Sequence, residues 1–125
     1  MLPTLRSVVA STAVQRSQPE VLTGERHLGR GVRWVHISEV ANLTGMLTGG
    51  ELILSTGLPL ANGQAEEFID TLIKADAVGL IVELSRRLPV VPSIALERAR
   101  AADFPIIALH KQARFIDITE EVHRA

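Results

Sequence analysis

The sequence predicts a single α/β domain, with a largely parallel or mixed sheet and helices packed on it. Three observations carry that expectation. Short, continuously apolar segments recur at Leu52-Ile53-Leu54, Val78-Gly79-Leu80-Ile81-Val82 and Ile106-Ile107-Ala108-Leu109, and strands that are apolar on both faces belong in a sheet covered on both sides. Helical patterns separate these segments, so helix and strand alternate along the chain after Val32. With 125 residues, 46% of them hydrophobic, the chain suffices for one core of common domain size.

Taken in order, Thr4 is placed to cap a short helix with Leu5, Val8 and Val9 on one side. A helix so short needs tertiary packing to persist. Ser17-Gln18-Pro19-Glu20 reads as a turn, Val21-Leu22-Thr23 as a short strand stopped by Gly24, and the polar stretch from Glu25 to Gly31 as a loop. Val32 to Ile37 has the β-branched and aromatic content of a strand. Its period of two puts Trp34 and His36 on one face, and Val35 and Ile37 on the other. Ser38 can cap a turn of helix through Val40. The stretch Thr48 to Gly57 then reads as a glycine turn, a buried strand, and a polar turn of Ser55, Thr56 and Gly57.

Asn62-Gly63 opens the clearest helix. Ala65, Phe68, Ile69, Leu72 and Ile73 recur at helical spacing, with Glu66, Glu67, Asp70 and Lys74 on the wet face. Asp76 marks its end, Val78 to Val82 forms the next strand, Glu83 sits just past it, and Arg86-Arg87-Leu88-Pro89 is a loop. Pro92 suits the first turn of a helix whose small apolar stripe is Ala95, Leu96, Ala99 and Ala102. Pro105 ends it, and Ile106 to Leu109 is a strand with His110 at its carboxyl end. Phe115, Ile118 and Val122 give a last amphipathic helix. Right-handed crossovers put both middle helices on the same face, unless the strand order reverses between them.

Composition excludes several classes of function. The formal net charge is −1, so there is no electrostatic footprint for nucleic acid. The chain has no cysteine, which rules out disulfides and thiol chemistry and fits a cytoplasmic protein. Arg6 interrupts the first apolar run, so no signal peptide is expected. No stretch reaches the length that spans a bilayer, and the expectation is a soluble protein with no membrane partner. Gly45, Gly49 and Gly50 lack the spacing of a phosphate-binding fingerprint. His27, His36, His110 and His123 are far apart in sequence, and none forms a close ligand pair with a carboxylate. No metal and no cofactor is expected.

Open α/β sheets bind ligands beyond the carboxyl ends of their strands. That makes Ser55, Thr56 and Gly57 the first place to look for a site. Glu83 and His110 point the same way if their strands are parallel. The candidate ligand-binding set is His36, Glu51, Ser55, Thr56, Gly57 and Glu83. Hydroxyl, carboxylate and imidazole groups together suit a small polar, nitrogen-rich ligand. Each also has a plain structural role open to it. His36 is compatible with a half-buried strand histidine, Glu51 with a carboxylate bonded to a turn amide, and Glu83 with a solvated strand end. Ser55, His36 and Glu83 can be drawn as a triad, but no G-x-S-x-G elbow surrounds Ser55, and no catalytic residue is expected.

The segment Val32-Arg33-Trp34-Val35-His36-Ile37-Ser38-Glu39, followed by Leu47-Thr48-Gly49-Gly50-Glu51-Leu52-Ile53-Leu54-Ser55-Thr56-Gly57, resembles the N-terminal domain of purine catabolism regulator (PucR) family transcription factors. In that family a V-x-W-x-H-x-S-E strand precedes an L-x-G-G-E-L-x-L-T-T-G strand, and here Ser55 stands where a threonine is usual. The resemblance implies a bacterial regulatory input domain over residues 1–125. Its last helix, about 114–125, would lead to a middle region and a helix-turn-helix domain outside this chain, through which alone DNA would be bound. It further implies a small-molecule effector from purine or other nitrogen catabolism, and a homodimer. The resemblance does not assign the ligand-contacting residues. Two rival readings are a ligand-free dimerisation or docking module, favoured if Phe115, Ile118 and Val122 form an exposed patch, and a small enzyme using His36 and a carboxylate.

Overall fold

The apolar segments assemble into a five-stranded sheet in a computed structural model that describes residues 1–124. The strands are β1 (Pro19–Thr23), β2 (Trp34–Ile37), β3 (Glu51–Ser55), β4 (Gly79–Glu83) and β5 (Ile106–Leu109), in the spatial order β1-β5-β4-β3-β2. Each of β2 to β5 runs parallel to its neighbour, while β1 pairs antiparallel with β5. The sheet is therefore mixed and largely parallel. β1 carries a proline at its first position and lies at an edge, where a missing N–H breaks no ladder.

Two helical layers cover the sheet. Ile53, Leu80, Val82 and Ile106 face α3 (Leu58–Ala61), α4 (Ala65–Lys74) and α5 (Ser93–Ala101), which contribute Leu60, Phe68, Ile69, Leu72, Ala95 and Ala99 to one core. Leu52, Leu54, Ile81 and Ile107 face α1 (Leu5–Ala10), α2 (Thr12–Gln15) and α6 (Phe115–Arg124), which contribute Leu5, Val8, Val14, Ile118 and Val122 to a second core. Strands added in sequence order, with α4 and α5 on one face, are what right-handed crossovers require. The six-residue α1 is too short to persist alone. Burial of Leu5 and Val8, about 1.5–3 kcal/mol each, and the Thr4 hydroxyl accepting from the Ser7 N–H hold it.

The structure departs from the sequence reading in several places: Ser38 to Val40 form no helical turn, Pro19 and Glu20 belong to β1 rather than to a turn, and the short helices Thr12–Gln15 and Glu25–His27 were not anticipated. α3 was not anticipated, because four residues cannot display a helical period; Pro59 in its first turn is its only local signal. β2 starts at Trp34 rather than Val32, because the chain before it pairs elsewhere: Gly31 bridges to Thr4 and the Val32 N–H donates to the Pro3 carbonyl. Glu83 is the last residue of β4 rather than the one past it. Ile118 and Val122 are buried, and Phe115 is half-buried, so the last helix shows no exposed patch at these positions. That face is used to cover the second side of a sheet whose strands are apolar on both sides. Residue 125, in the expected last helix, lies outside the described residues.

The turn before β3 is held from several directions. Gly49 and Gly50 have φ of +99° and +83°, which L side chains rarely adopt. The Gly50 carbonyl accepts from the Arg33 N–H, and the Gly50 N–H donates to the Asp76 carbonyl. Glu51, itself 6% exposed, folds its carboxylate back over the turn. One oxygen accepts from the Thr48 N–H at 2.8 Å, the other from the Gly49 N–H at 2.8 Å.

This arrangement sets a pH dependence. Burial alone would raise the Glu51 carboxyl, but the Thr48 and Gly49 amides and the Thr48 hydroxyl outweigh it, and the pKa falls below its ordinary 4.5. A depressed carboxyl stabilises the fold above its ordinary pKa, and that contribution is lost as pH falls through the folded-state value. Urea unfolding at a series of pH values is expected to show Glu51→Gln less stable than the parent at neutral pH, with the difference shrinking below 4.5. A difference that stays constant into acid would remove this role for Glu51.

Candidate functional site

β3, β4 and β5 are parallel, so Ser55-Thr56, Glu83 and His110 all lie at the same end of the sheet. Glu51 starts β3 and Ser55 ends it. Four steps along the strand separate them by about 13 Å, so one small ligand contacting both has no direct path. His36 pairs in register with Ile53, within the strand rather than at its end.

The Ser55 side chain is fully buried and already engaged. Its hydroxyl donates to Glu39 Oε1 at 2.9 Å and accepts from the Gly57 N–H at 3.0 Å. The second oxygen of Glu39 accepts from the Thr56 N–H at 2.7 Å. A carboxylate from the segment after β2 thus clamps the end of β3. Glu39 was visible in the sequence as the last residue of the first motif, but nothing local marks it as a partner of residues 16 and 17 positions on. Ser55 meets Glu39 and Gly57 rather than His36, so the drawn triad is not assembled.

Thr56 and Glu83 do come together. They line a cleft of about 450 Å³ with Leu58, Ser85, Arg86 and Arg87. Two turns form its walls. In one, Gly57 has φ +90° and leads into α3; a Cβ there would overlap the Leu88 side chain. In the other, the Ser85 N–H donates to the Leu88 carbonyl at 3.0 Å and the Leu88 N–H donates to Ser85 Oγ at 3.3 Å. Leu88 is buried and packs on Gly57, so it pins the second turn to the first. Gly57 therefore acts on the cleft by permitting this close approach. From sequence Arg86 and Arg87 read as loop residues in a local arginine cluster matched by acids elsewhere; in the structure neither makes an ion pair among the described residues.

Glu83 faces two ways. It lines the cleft, and its Oε2 accepts from the Ala113 N–H at 2.7 Å, just before α6. His110 lies outside the cleft and meets Glu20 of β1, Nε2 to Oε1 at 2.8 Å. Another cleft of about 480 Å³ lies between the 42–47 segment and α4, but Glu67, Asp70 and Lys74 lining it belong to the helix's wet face, and its lining holds no residue from the carboxyl end of a strand. Among the described residues no group of three His, Cys, Asp or Glu could hold a metal ion, and no helix is long and apolar enough to cross a membrane.

The cleft offers two guanidiniums, two hydroxyls and a carboxylate beside an apolar wall, with no nucleophile paired to a base. These are means of binding and orienting a polar molecule. Fold and site define a three-layer α/β domain with a polar cleft at the carboxyl ends of its parallel strands. The chain belongs to the Purine catabolism regulatory protein-like (PucR) family, whose sequence pattern matches residues 7–125. Among curated proteins none matches it. Its fold is similar to a crystal structure of the CBS and DRTGG domains of the regulatory region of Clostridium perfringens pyrophosphatase, complexed with the activator diadenosine tetraphosphate. The TM-score is 0.61 at 15% identity, over 94% of this chain and 47% of that one. The chain thus spans about half the length of that structure.

Proposed function

We propose that this chain is the input domain of a bacterial, cytoplasmic transcriptional regulator. It binds a small nitrogen-rich effector, such as an intermediate of purine catabolism, in the cleft beyond β3 and β4. The observation that carries this reading is the meeting of Thr56 and Glu83 in one cleft at the carboxyl ends of parallel strands. Membership of a family of purine catabolism regulators supports it, as does a similar fold in a regulatory region that is complexed with an activator.

Glu83 supplies a route out of the site. An effector that binds Glu83 competes with, or reinforces, its hold on the Ala113 N–H and so shifts where α6 begins. α6 would carry that bias to a DNA-binding domain outside this chain, within a homodimer. The effector shifts the equilibrium only by its difference in affinity for the two arrangements. No step of this needs catalysis.

Thermal unfolding against a panel of purines, ring-opened ureides and related nitrogen metabolites tests the proposal. A ligand at about 100 times its Kd adds roughly 2.7 kcal/mol, a shift of several degrees for a domain of this size. The shift is expected to be smaller in Thr56→Val, and an unchanged shift would place the site elsewhere. A second reading, a ligand-free dimerisation module, draws on Trp34, Ile37 and Val40, which are exposed along and just after the edge strand β2. No shift from any compound, together with a dimer in sedimentation, would move the function there.

A further inference from the structure

We infer that the ligand of this cleft carries an anionic group, a carboxylate or a phosphate, and that Arg86 and Arg87 receive it. This rests on the cleft being the effector site.

Arginines on surface loops are commonly just solvated, but the placement of these two is built. They occupy the middle of a four-residue turn closed at its base by the two bonds between Ser85 and Leu88. Leu88 anchors that turn by packing on Gly57, in the facing wall. The backbone that carries both guanidiniums is thereby fixed relative to Thr56. Neither arginine makes an ion pair or a side-chain hydrogen bond among the described residues, although both line the cleft. Elsewhere the structure does pair its arginines near acids: Arg98 meets Glu66 at 2.8 Å and Arg30 meets Asp76 at 3.2 Å. The only carboxylate lining the cleft, Glu83, gives one oxygen to the Ala113 N–H. The cleft is left with two unpaired cations against one committed anion.

The chemistry follows from the donors. Guanidinium presents a planar fork that matches carboxylate and phosphate oxygens two at a time. The Thr56 hydroxyl supplies a further donor on the opposite wall. A neutral ligand would leave this donor set facing water.

The test is titration of the whole chain, labelled with nitrogen-15, with inorganic phosphate and separately with malonate. Chloride holds the ionic strength constant, so that general screening does not masquerade as binding. Saturable shifts confined to amides of residues 56–58 and 85–88 are expected. Response to phosphate alone, to malonate alone or to both assigns the anion class. In Arg86→Gln/Arg87→Gln the apparent Kd should rise about tenfold or more, with the melting temperature unchanged because neither side chain holds the fold. Thr56→Val is a second variant should the first misfold, with a smaller loss expected. Shifts that do not saturate, or that survive in both variants, overturn the inference. If a neutral purine or ureide shifts these amides and both anions do not, the anionic class is wrong and the effector site stands. If none of the probes moves them, both fall.

Discussion

Glu39→Ala is expected to destabilise the domain by about 2–3 kcal/mol, because it removes a charged acceptor from two donors at once. Ser55 is 0% exposed, so its hydroxyl cannot turn to water for a replacement. The Thr56 N–H lies beside an exposed residue and recovers part of its loss by hydration. Hydrogen bonds to a charged group contribute about 1.5–3 kcal/mol each, and the half-exposed position of Glu39 places the pair towards the low end. The melting temperature should fall by about 10 °C. Glu39→Gln keeps one acceptor oxygen and should lose roughly half as much. A double-mutant cycle with Ser55→Ala isolates the contact, with a coupling of about 1 kcal/mol or more expected. Urea unfolding of the four proteins decides it. A Glu39→Ala loss below about 0.5 kcal/mol, the range of an ordinary surface substitution, would show that the clamp is not formed.

Gly57→Ala is expected to cost about 2–5 kcal/mol, the larger of the two effects. Two costs add. A non-glycine residue at φ +90° is strained by about 1–2 kcal/mol. The new Cβ also overlaps Leu88, and overpacking of this kind costs about 1–3 kcal/mol. Gly63→Ala separates them, because Gly63 has φ +85° and no atom within 4 Å of an added Cβ. Gly63→Ala should show only the backbone cost. Equal losses at the two positions would mean that the terminal methyl of Leu88 gives way at no cost, so that its packing on Gly57 does not hold the two cleft walls together. If they are joined, Gly57→Ala also displaces the turn that bears Arg86 and Arg87.

The contrast between these residues shows what the sequence could convey. β3, β4 and β5 were legible because unbroken aliphatic runs have few other uses, and α4 because five apolar positions repeat at helical spacing. α6 was equally legible as a helix, yet its stripe could not say whether it covers its own sheet or another molecule. The candidate site was legible only as a location. That Ser55, Thr56, Glu83 and His110 share one end of the sheet follows from parallel strands. That Glu51 lies a strand's length from Ser55 follows from the rise per residue, and the candidate set joined them nonetheless. Glu39 was illegible as a clamp because its partners arrive through a crossover. The arginine turn was illegible as a cleft wall because its position depends on Leu88 meeting Gly57. Both glutamates of the motifs that mark the family serve the backbone: Glu39 of the first motif holds Ser55 and Thr56 of the second, and Glu51 of the second holds Thr48 and Gly49 within its own turn.

The chain contains a single tryptophan, and it does not sit in the core. Trp34 opens the edge strand β2, 59% exposed, with its ring centroid 4.8 Å from the imidazole of His123 in the last turn of α6. An indole in such contact has an emission set by its neighbour and by the water around it. If α6 shifts on its seat, the environment of that one fluorophore changes, with no label attached and no second tryptophan to dilute the signal. The protein therefore carries its own optical gauge on α6, and if an effector in the cleft shifts that helix as proposed, intrinsic fluorescence would report the binding from the opposite end of the sheet.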